Sequence, residues 1–463
     1  MKTNRRNLLV GAAGLAAGAA GANWLRRASP KPANVVLIVT DDQGYNDLGC
    51  YFDANPTPGG ARPHTPHLDR LAKTGVRFSD YCVTSSVCTP SRASLLTGCY
   101  PPRVGFGATA FPGTQVGVLT PTSDSGLHPD EETLADLFRR AGYATGCVGK
   151  WHLGHRPAFL PTRQGFDGFY GIPYSNNQRP LPLMRDEEII RRLPEEPLLT
   201  RPFTQAAVTF ITRHQERPFF LYLAHSAPHT PWRVPEGRRD KSRSLYADVI
   251  REIDWSVGQL LETLERLGLR EDTLIVFGSD NGPWVHAGLD SGSAWPYRGG
   301  KAQTWEGGFR TPLLASWPTI LPSGAVHHQP VASIDLLPTL AQIMGLDLPN
   351  KPIDGAACWN TFAADAPNPR EGLAYYARGR LEAVRIGRWK LVFKNTQRAP
   401  AISGGLFNLQ ADPAERTDVS AQHPERVTQL RRYAERTRTE LGDALTGVTG
   451  LSCRPLGYAA AAV

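Results

Sequence analysis

The chain has 463 residues, 41% of them hydrophobic and 20% charged, with a formal net charge of +8. That length suits a large α/β domain with a smaller companion, and the composition is that of a globular protein with a sizeable core, which excludes long disorder or a repeat array. The positive balance suits an anionic substrate, but no dense Lys/Arg stripe with interleaved aromatics occurs, so no nucleic-acid partner is expected.

The first element is a targeting segment. Asn4-Arg5-Arg6-Asn7 precedes a Gly/Ala-rich apolar run ending at Ala22. A twin arginine before a weakly apolar stretch reads as a twin-arginine-type signal peptide over residues 1–22, and predicts a periplasmic or secreted protein. The run is short for a membrane span. Four apolar runs follow: Asn34 to Thr40, Tyr143 to Val148, Pro218 to Ala224 and Thr273 to Phe277. Each is continuous and rich in branched or aromatic residues, as in buried strands of a parallel sheet. Helical patterns lie between them at Pro66 to Thr74, Glu131 to Ala141 and Tyr246 to Leu267. Strand–helix alternation predicts a mostly parallel sheet flanked by helices, with ligands outside the carboxyl ends of the strands. The four runs end in Asp41-Asp42, in Lys150 and His152, near His225 and His229, and in Asp280-Asn281. Residues 101–130 and 171–200, rich in Pro, Gly, Arg and Ser, read as long loops over that rim.

The pattern changes near residue 345, with Pro349, Pro352 and Asp354-Gly355 marking a boundary. The expected division is a catalytic domain over 33–345 and a C-terminal α+β subdomain over 346–463. The latter shows short antiparallel strands at Leu381 to Gly387, Trp389 to Lys394 and Gly404 to Leu409, then one charged amphipathic helix, Pro424 to Leu441. It is expected to pack against the main sheet.

Cys88-Thr89-Pro90-Ser91-Arg92 opens a segment closing at Thr97-Gly98. Thr89 can cap a helix, Pro90 fits its first position and Gly98 its end. Cys88 then sits at a helix N-terminus, where free N–H groups favour an anion, and Arg92 can point a bidentate donor there. Asp41, Asp42, Asp280 and Asn281 offer only oxygen ligands, which suits a hard ion such as Ca²⁺ or Mg²⁺; either pair alone could equally cap a βα turn. The seven cysteines form no C-x-x-C pair, and their odd count leaves at least one outside any intramolecular disulfide. Lys150 and His152 alternate at a strand end and so share a side. Lys301 lies in a Gly-rich turn suited to close approach of an anion. Trp151, Trp284 and Trp295 could line a cleft or simply pack.

C-T-P-S-R-A-S-L-L-T-G resembles the signature of type I sulfatases, the formylglycine-dependent family. T-D-D-Q-G, T-P-H-L-D-R-L-A-K-T-G, G-K-W-H-L-G-H-R-P, S-D-N-G, G-G-K-A-Q-T-W-E-G-G-F-R-T-P and L-F-N-L-Q-A-D-P-A-E-R-T-D resemble further blocks of that family, in its order. The match spans nearly the whole mature chain. G-K-W-H-L-G-H-R-P and Y-A-D-V-I-R-E-I-D incline it to the arylsulfatase A and galactosamine-6-sulfatase-like branch.

The resemblance implies an alkaline-phosphatase-like α/β fold and hydrolysis of sulfate esters, on a sulfated small molecule or glycan. It implies that a maturation enzyme oxidises Cys88 to formylglycine, and that Ca²⁺ is held by Asp41, Asp42, Asp280, Asn281 and the modified residue 88. One hydroxyl of the hydrated aldehyde then attacks sulfur, with Asp280 as base, while Arg92, Lys150 and Lys301 hold the sulfate oxygens. His229 with Lys301 protonates the leaving alcohol, His225 being the nearby alternative. His152 takes the proton from the second hydroxyl to expel sulfate. The competing expectations are a phosphodiesterase or phosphonate monoester hydrolase of the same superfamily, and a non-catalytic binding protein on the same fold.

Overall fold

A computed structural model describes residues 33–107, 117–194, 197–285, 291–396 and 401–459. The expected signal peptide, residues 1–22, lies outside them. Among the described residues no helix is long and apolar enough to cross a membrane.

The four apolar runs form the centre of one ten-stranded sheet. Its order is Ala325–His327, Val76–Phe78, Leu313–Ser316, Thr273–Ser279, Asn34–Thr40, Phe219–Ala224, Ala144–Lys150, Gly168–Ile172, Pro182–Arg185 and Glu188–Arg192. Asn34–Thr40 pairs parallel with Thr273–Ser279 on one side and with Phe219–Ala224 on the other; Ala144–Lys150 continues the parallel set. The register sets Thr40 beside Ser279, and Ala224 beside both Val39 and Gly149. All four carboxyl ends therefore finish at one rim, as the sequence pattern requires. Antiparallel pairings enter on both flanks, and the edge strand Ala325–His327 pairs parallel with Val76–Phe78.

Alternate residues of the central strand feed two cores. Val35, Leu37 and Val39 join one cluster, Val36 and Ile38 the other. Helices Pro66–Lys73, Thr200–Arg213 and Leu245–Arg266 bury their apolar faces in the second. Helices Cys88–Thr97, Leu134–Arg140 and Leu336–Met344 pack in the first. Local signals set their ends: Ser244 caps Ala247 N–H, and Thr133 forms a reciprocal capping box with Asp136.

The C-terminal strands form a separate four-stranded antiparallel sheet, Leu373–Ala377, Arg380–Ile386, Trp389–Val392 and Gly405–Asn408, backed by helix Pro424–Leu441. Its apolar residues join the first core cluster. The chain then returns to pair Gly457–Tyr458 with Ser125–Gly126. All seven cysteines are free thiols. One expectation is corrected: part of 171–200 is a hairpin that extends the main sheet, not a loop. Its outer strand, Glu188–Arg192, is exposed at every position, so it shows none of the alternation that marks a half-buried strand.

Candidate active site

The helix carrying Cys88 begins at Cys88 itself, after an extended Val87, and ends at Gly98 with a left-handed φ of 68°. The expected start is corrected by two residues. Pro90 becomes the third helical residue, where its missing N–H still costs no intrahelical bond. Thr89 does not cap; its hydroxyl accepts from Leu119 N–H at 3.2 Å. Cys88 thus stands in the first turn, buried, with the positive end of the helix behind it.

Around its sulfur the strand ends deliver the acidic groups. Cys88 Sγ donates to Asp41 Oδ1 at 3.2 Å, and Lys150 Nζ donates to Asp41 Oδ2 at 2.5 Å. Lys301 Nζ donates to Asp42 Oδ2 at 2.8 Å, and Asn281 Nδ2 to Asp42 Oδ1 at 2.8 Å. Asp42 N–H donates to Asp280 Oδ1 at 3.2 Å. Arg92 presents Nε and Nη2 to Asp280 Oδ2, each at 2.8 Å, and Nη1 to the Lys150 carbonyl at 3.1 Å. Every expected ligand and cation is therefore joined in one largely buried network, and His152, the expected base, stands outside it. Donor atoms of Asp41, Asp42, Cys88 and His229 all lie within 4.8 Å of one another. Asn281 Oδ1 is buried with no hydrogen-bond partner among the described residues. An orphaned amide oxygen beside three carboxylates fits a hard cation.

The charges set the protonation states. Burial raises the Asp41 carboxyl, but Lys150, His229, Arg92 and Lys301 outweigh it and hold the group well below the usual carboxylate range. Burial pushes Asp280 up to about 6 against the pull of Arg92. Burial and the Asp41 carboxylate push the Cys88 thiol well up, so the unmodified residue is a poor nucleophile. Burial lowers Lys301, but Asp42, Cys88 and Asp41 together outweigh it and keep the ammonium charged.

The histidines separate. His229 Nδ1 meets the Thr230 carbonyl at 2.6 Å and its Nε2 faces Asp42 Oδ2 at 3.6 Å, with the Trp284 ring 5.8 Å away. Burial and then Lys301 lower it to about 4. His225 instead packs beneath the sheet rim, with Nε2 on Ser256 Oγ at 3.1 Å, and burial alone lowers it to about 4. His152 lies beyond its strand at a left-handed φ of 59°, so it reaches the site by a backbone turn and not by strand alternation as expected. Its Nε2 meets the Leu119 carbonyl at 2.9 Å, and its Nδ1 is buried without a partner among the described residues.

Asp42 and Ala302 also adopt left-handed φ, 65° and 62°. Non-glycine residues rarely do so, and their clustering here marks a backbone held in place by its surroundings. Sequence reasoning missed Ser91, whose hydroxyl donates to the Asp280 carbonyl at 2.5 Å, and Ser175, 3.3 Å from Lys150 Nζ. It also missed the Leu119 carbonyl, since a backbone acceptor leaves no mark in the residue type. Trp151 is fully buried on the Phe159 carbonyl and is packing; Trp284 stands at the site with Lys301 Nζ 5.2 Å from its ring centre.

The family profile described as Sulfatase matches residues 33–346. The chain is 36% identical to arylsulfatase A of Homo sapiens, over 90% of this chain and 89% of that protein. It is 40% identical to N-acetylgalactosamine-6-sulfatase of Canis lupus familiaris, over 83% of this chain and 74% of that protein. The crystal structure of Ps i-CgsB in complex with a neocarrahexaose superposes with a TM-score of 0.74 at 32% identity, covering 88% of this chain and 92% of that one.

Proposed function

The chain belongs to the sulfatase family and hydrolyses sulfate esters, and we propose that it does so with Cys88 oxidised to formylglycine, beside one oxygen-liganded divalent cation, on a sulfated carbohydrate. The observation that carries the mechanism is the position of Cys88: first residue of a helix, buried, 3.2 Å from Asp41 and inside a ring of acids and cations.

Asp41, Asp42, Asp280 and Asn281 would hold the cation, calcium or magnesium, since carboxylate and amide oxygens suit hard ions. Cation and aldehyde hydrate together supply a strong oxygen nucleophile at neutral pH and a route for releasing sulfate afterwards. Arg92, Lys150 and Lys301 carry the charge that offsets the sulfate oxygens, and all three are held in place by carboxylates before substrate arrives. Asp280 takes the proton from the attacking group. His229 keeps Nε2 toward the site because Nδ1 is tied to Thr230. An arriving sulfate ester brings negative charge to that nitrogen and favours its protonation, which makes the ring, with Lys301 beside it, the acid for the leaving oxygen. His152, with Nε2 on the Leu119 carbonyl, offers Nδ1 as the base for the final step.

The carbohydrate preference draws on what the relatives' names state: one acts on N-acetylgalactosamine-6-sulfate, and another was solved with a neocarrahexaose. Export to the periplasm or beyond, through residues 1–22, completes the reading, with a separate maturation enzyme as partner.

The test is the mass of the peptide carrying Cys88, from protein made in its own host, with aldehyde derivatisation, beside turnover of an aryl sulfate and an aryl phosphonate monoester. Formylglycine with preferential sulfate cleavage is expected. A free thiol in protein that still cleaves the sulfate sinks the nucleophile; preference for the phosphonate sinks the substrate class.

A further inference from the structure

Lys301 reaches the site from a turn that two parts of the chain grip from opposite sides. On the inner side, Lys301 N–H donates to the Pro283 carbonyl at 2.8 Å, two residues beyond Asn281. Ala302 N–H donates to the Ser86 carbonyl at 2.8 Å, two residues before Cys88. The turn is therefore stitched to both the nucleophile loop and the acidic strand end.

The outer side is gripped by the C-terminal sheet and the segment that follows its last strand. Lys390, fully buried, donates to the Thr304 carbonyl at 2.8 Å and to Glu306 Oε1 at 3.1 Å, and lies 2.8 Å from Glu415 Oε1. Glu415 Oε2 accepts from Glu306 N–H at 2.6 Å, and the Glu415 carbonyl accepts from Arg298 at 3.3 Å. Thr304 Oγ1 donates to Glu382. Three C-terminal residues thus fasten both arms of the turn, at 298 and at 304–306, with Lys301 between them. Two of the sequence blocks quoted above contain Glu306 and Glu415, which no step of the chemistry uses.

Stability is a weak reason for such a cluster. Buried ion pairs gain little over apolar residues of the same volume, because desolvation consumes most of their attraction. What they impose is geometry: each carboxylate and ammonium has one satisfactory arrangement in this interior.

We propose that Lys390, through its clamp with Glu306 and Glu415, is a positioning residue for Lys301, so that the C-terminal sheet completes the sulfate subsite without touching substrate. The proposal rests on the reading of Lys301 as a sulfate-binding group.

The test is a double-mutant cycle in the full-length, matured enzyme. Lys390→Met with Glu415→Gln removes one buried charge of each sign and so keeps the balance. A turn released by about 1 Å costs on the order of ten- to a hundred-fold in kcat on an aryl sulfate. In a Lys301→Ala background the same pair is expected to cost less than about two-fold, because the residue it positions is gone. Equal losses in both backgrounds, or an undiminished kcat in the folded pair, overturn the proposal. If the pair does not fold, Glu415→Gln alone carries the cycle: the amide still accepts from Glu306 N–H but loses the Lys390 ion pair, and any loss must again vanish with Lys301→Ala. The cycle can also be read by binding of inorganic sulfate, which needs no turnover. An enzyme that fails on aryl sulfate while binding of sulfate shows the cycle loses the hydrolytic reading and keeps this one.

Discussion

Arg92→Gln tests the electrostatic design of the site most directly. The guanidinium is wholly buried and gives Asp280 two contacts of 2.8 Å, the Lys150 carbonyl one of 3.1 Å, and Asp41 a more distant 3.8 Å. Glutamine keeps most of the volume and removes the charge. Removing one partner of a buried pair costs roughly 3–5 kcal/mol, because the other charge stays uncompensated. Unfolding entropy near 2.1 cal/mol/K per residue gives a chain of this size about 0.9 kcal/mol/K, so the melting temperature should fall by about 3–6 °C. Asp280, already pushed to about 6 by burial against the pull of Arg92, rises further without the guanidinium and can escape part of the cost by taking a proton, so the deficit should shrink as pH falls toward 6. Losing a fixed donor to the sulfate should lower kcat by about 10²–10³. Arg92→Lys should recover most of the stability and little of the rate, since one ammonium cannot reproduce the planar fork. Calorimetry and aryl sulfate kinetics on the same preparations measure both effects. A glutamine variant that melts within about 1 °C of the parent and keeps its rate would refute the argument.

The two histidines should part company in kinetics: His229→Ala is expected to lose about 10²–10⁴ in kcat, most for poor leaving groups, whereas His225→Gln should stay within a few-fold. His225, like His229, should also make stability depend on pH, and it does so without a part in turnover. Its folded value of about 4 lies below the unfolded value near 6.5, so the unfolded chain binds more protons between them, and stability falls as pH drops through that window by about 3 kcal/mol. Denaturant midpoints from pH 7 to 4 should show a shallower acid loss in His225→Gln, and an unchanged slope contradicts the assignment. Chelation by EGTA or EDTA should abolish activity, restored by Ca²⁺ or Mg²⁺, and calcium at a hundred times its Kd should stabilise by about 2.7 kcal/mol. Asn281→Ala should weaken that response, and should also lower the metal-free melting temperature, because the buried hydrogen bond to Asp42 goes with it.

What was legible in the sequence follows from what burial demands. The four central strands are covered on both faces, so continuous runs such as Val35 to Val39 declare them. The flanking strands are three to five residues long, and Glu188–Arg192 is fully exposed, so no periodicity survives to be read. Leu373–Ala377, the first strand of the C-terminal sheet, is buried at four successive positions and so shows no alternation either. At the site, the acids and cations are named by their own residue types. The groups that orient them are not: Leu119 contributes a carbonyl, Ser175 is one serine among many, and His152 arrives through a left-handed turn. Trp151 was readable either as cleft or as core, and only the packing decides for core.

The pairing of Asn34 with Thr273, 239 residues apart, sets a schedule for folding during synthesis. At about 5–20 residues per second the first strand waits roughly 10–50 s for the neighbour on its far side. Throughout that interval it is an apolar β-former with at least one open edge, the kind of segment that recruits other chains. Loop closure over such distances is also slow, because the entropy is lost before any contact rewards it. Yield in a foreign host is therefore expected to depend on holdase chaperones and on slow, cool synthesis more than on the stability of the finished enzyme.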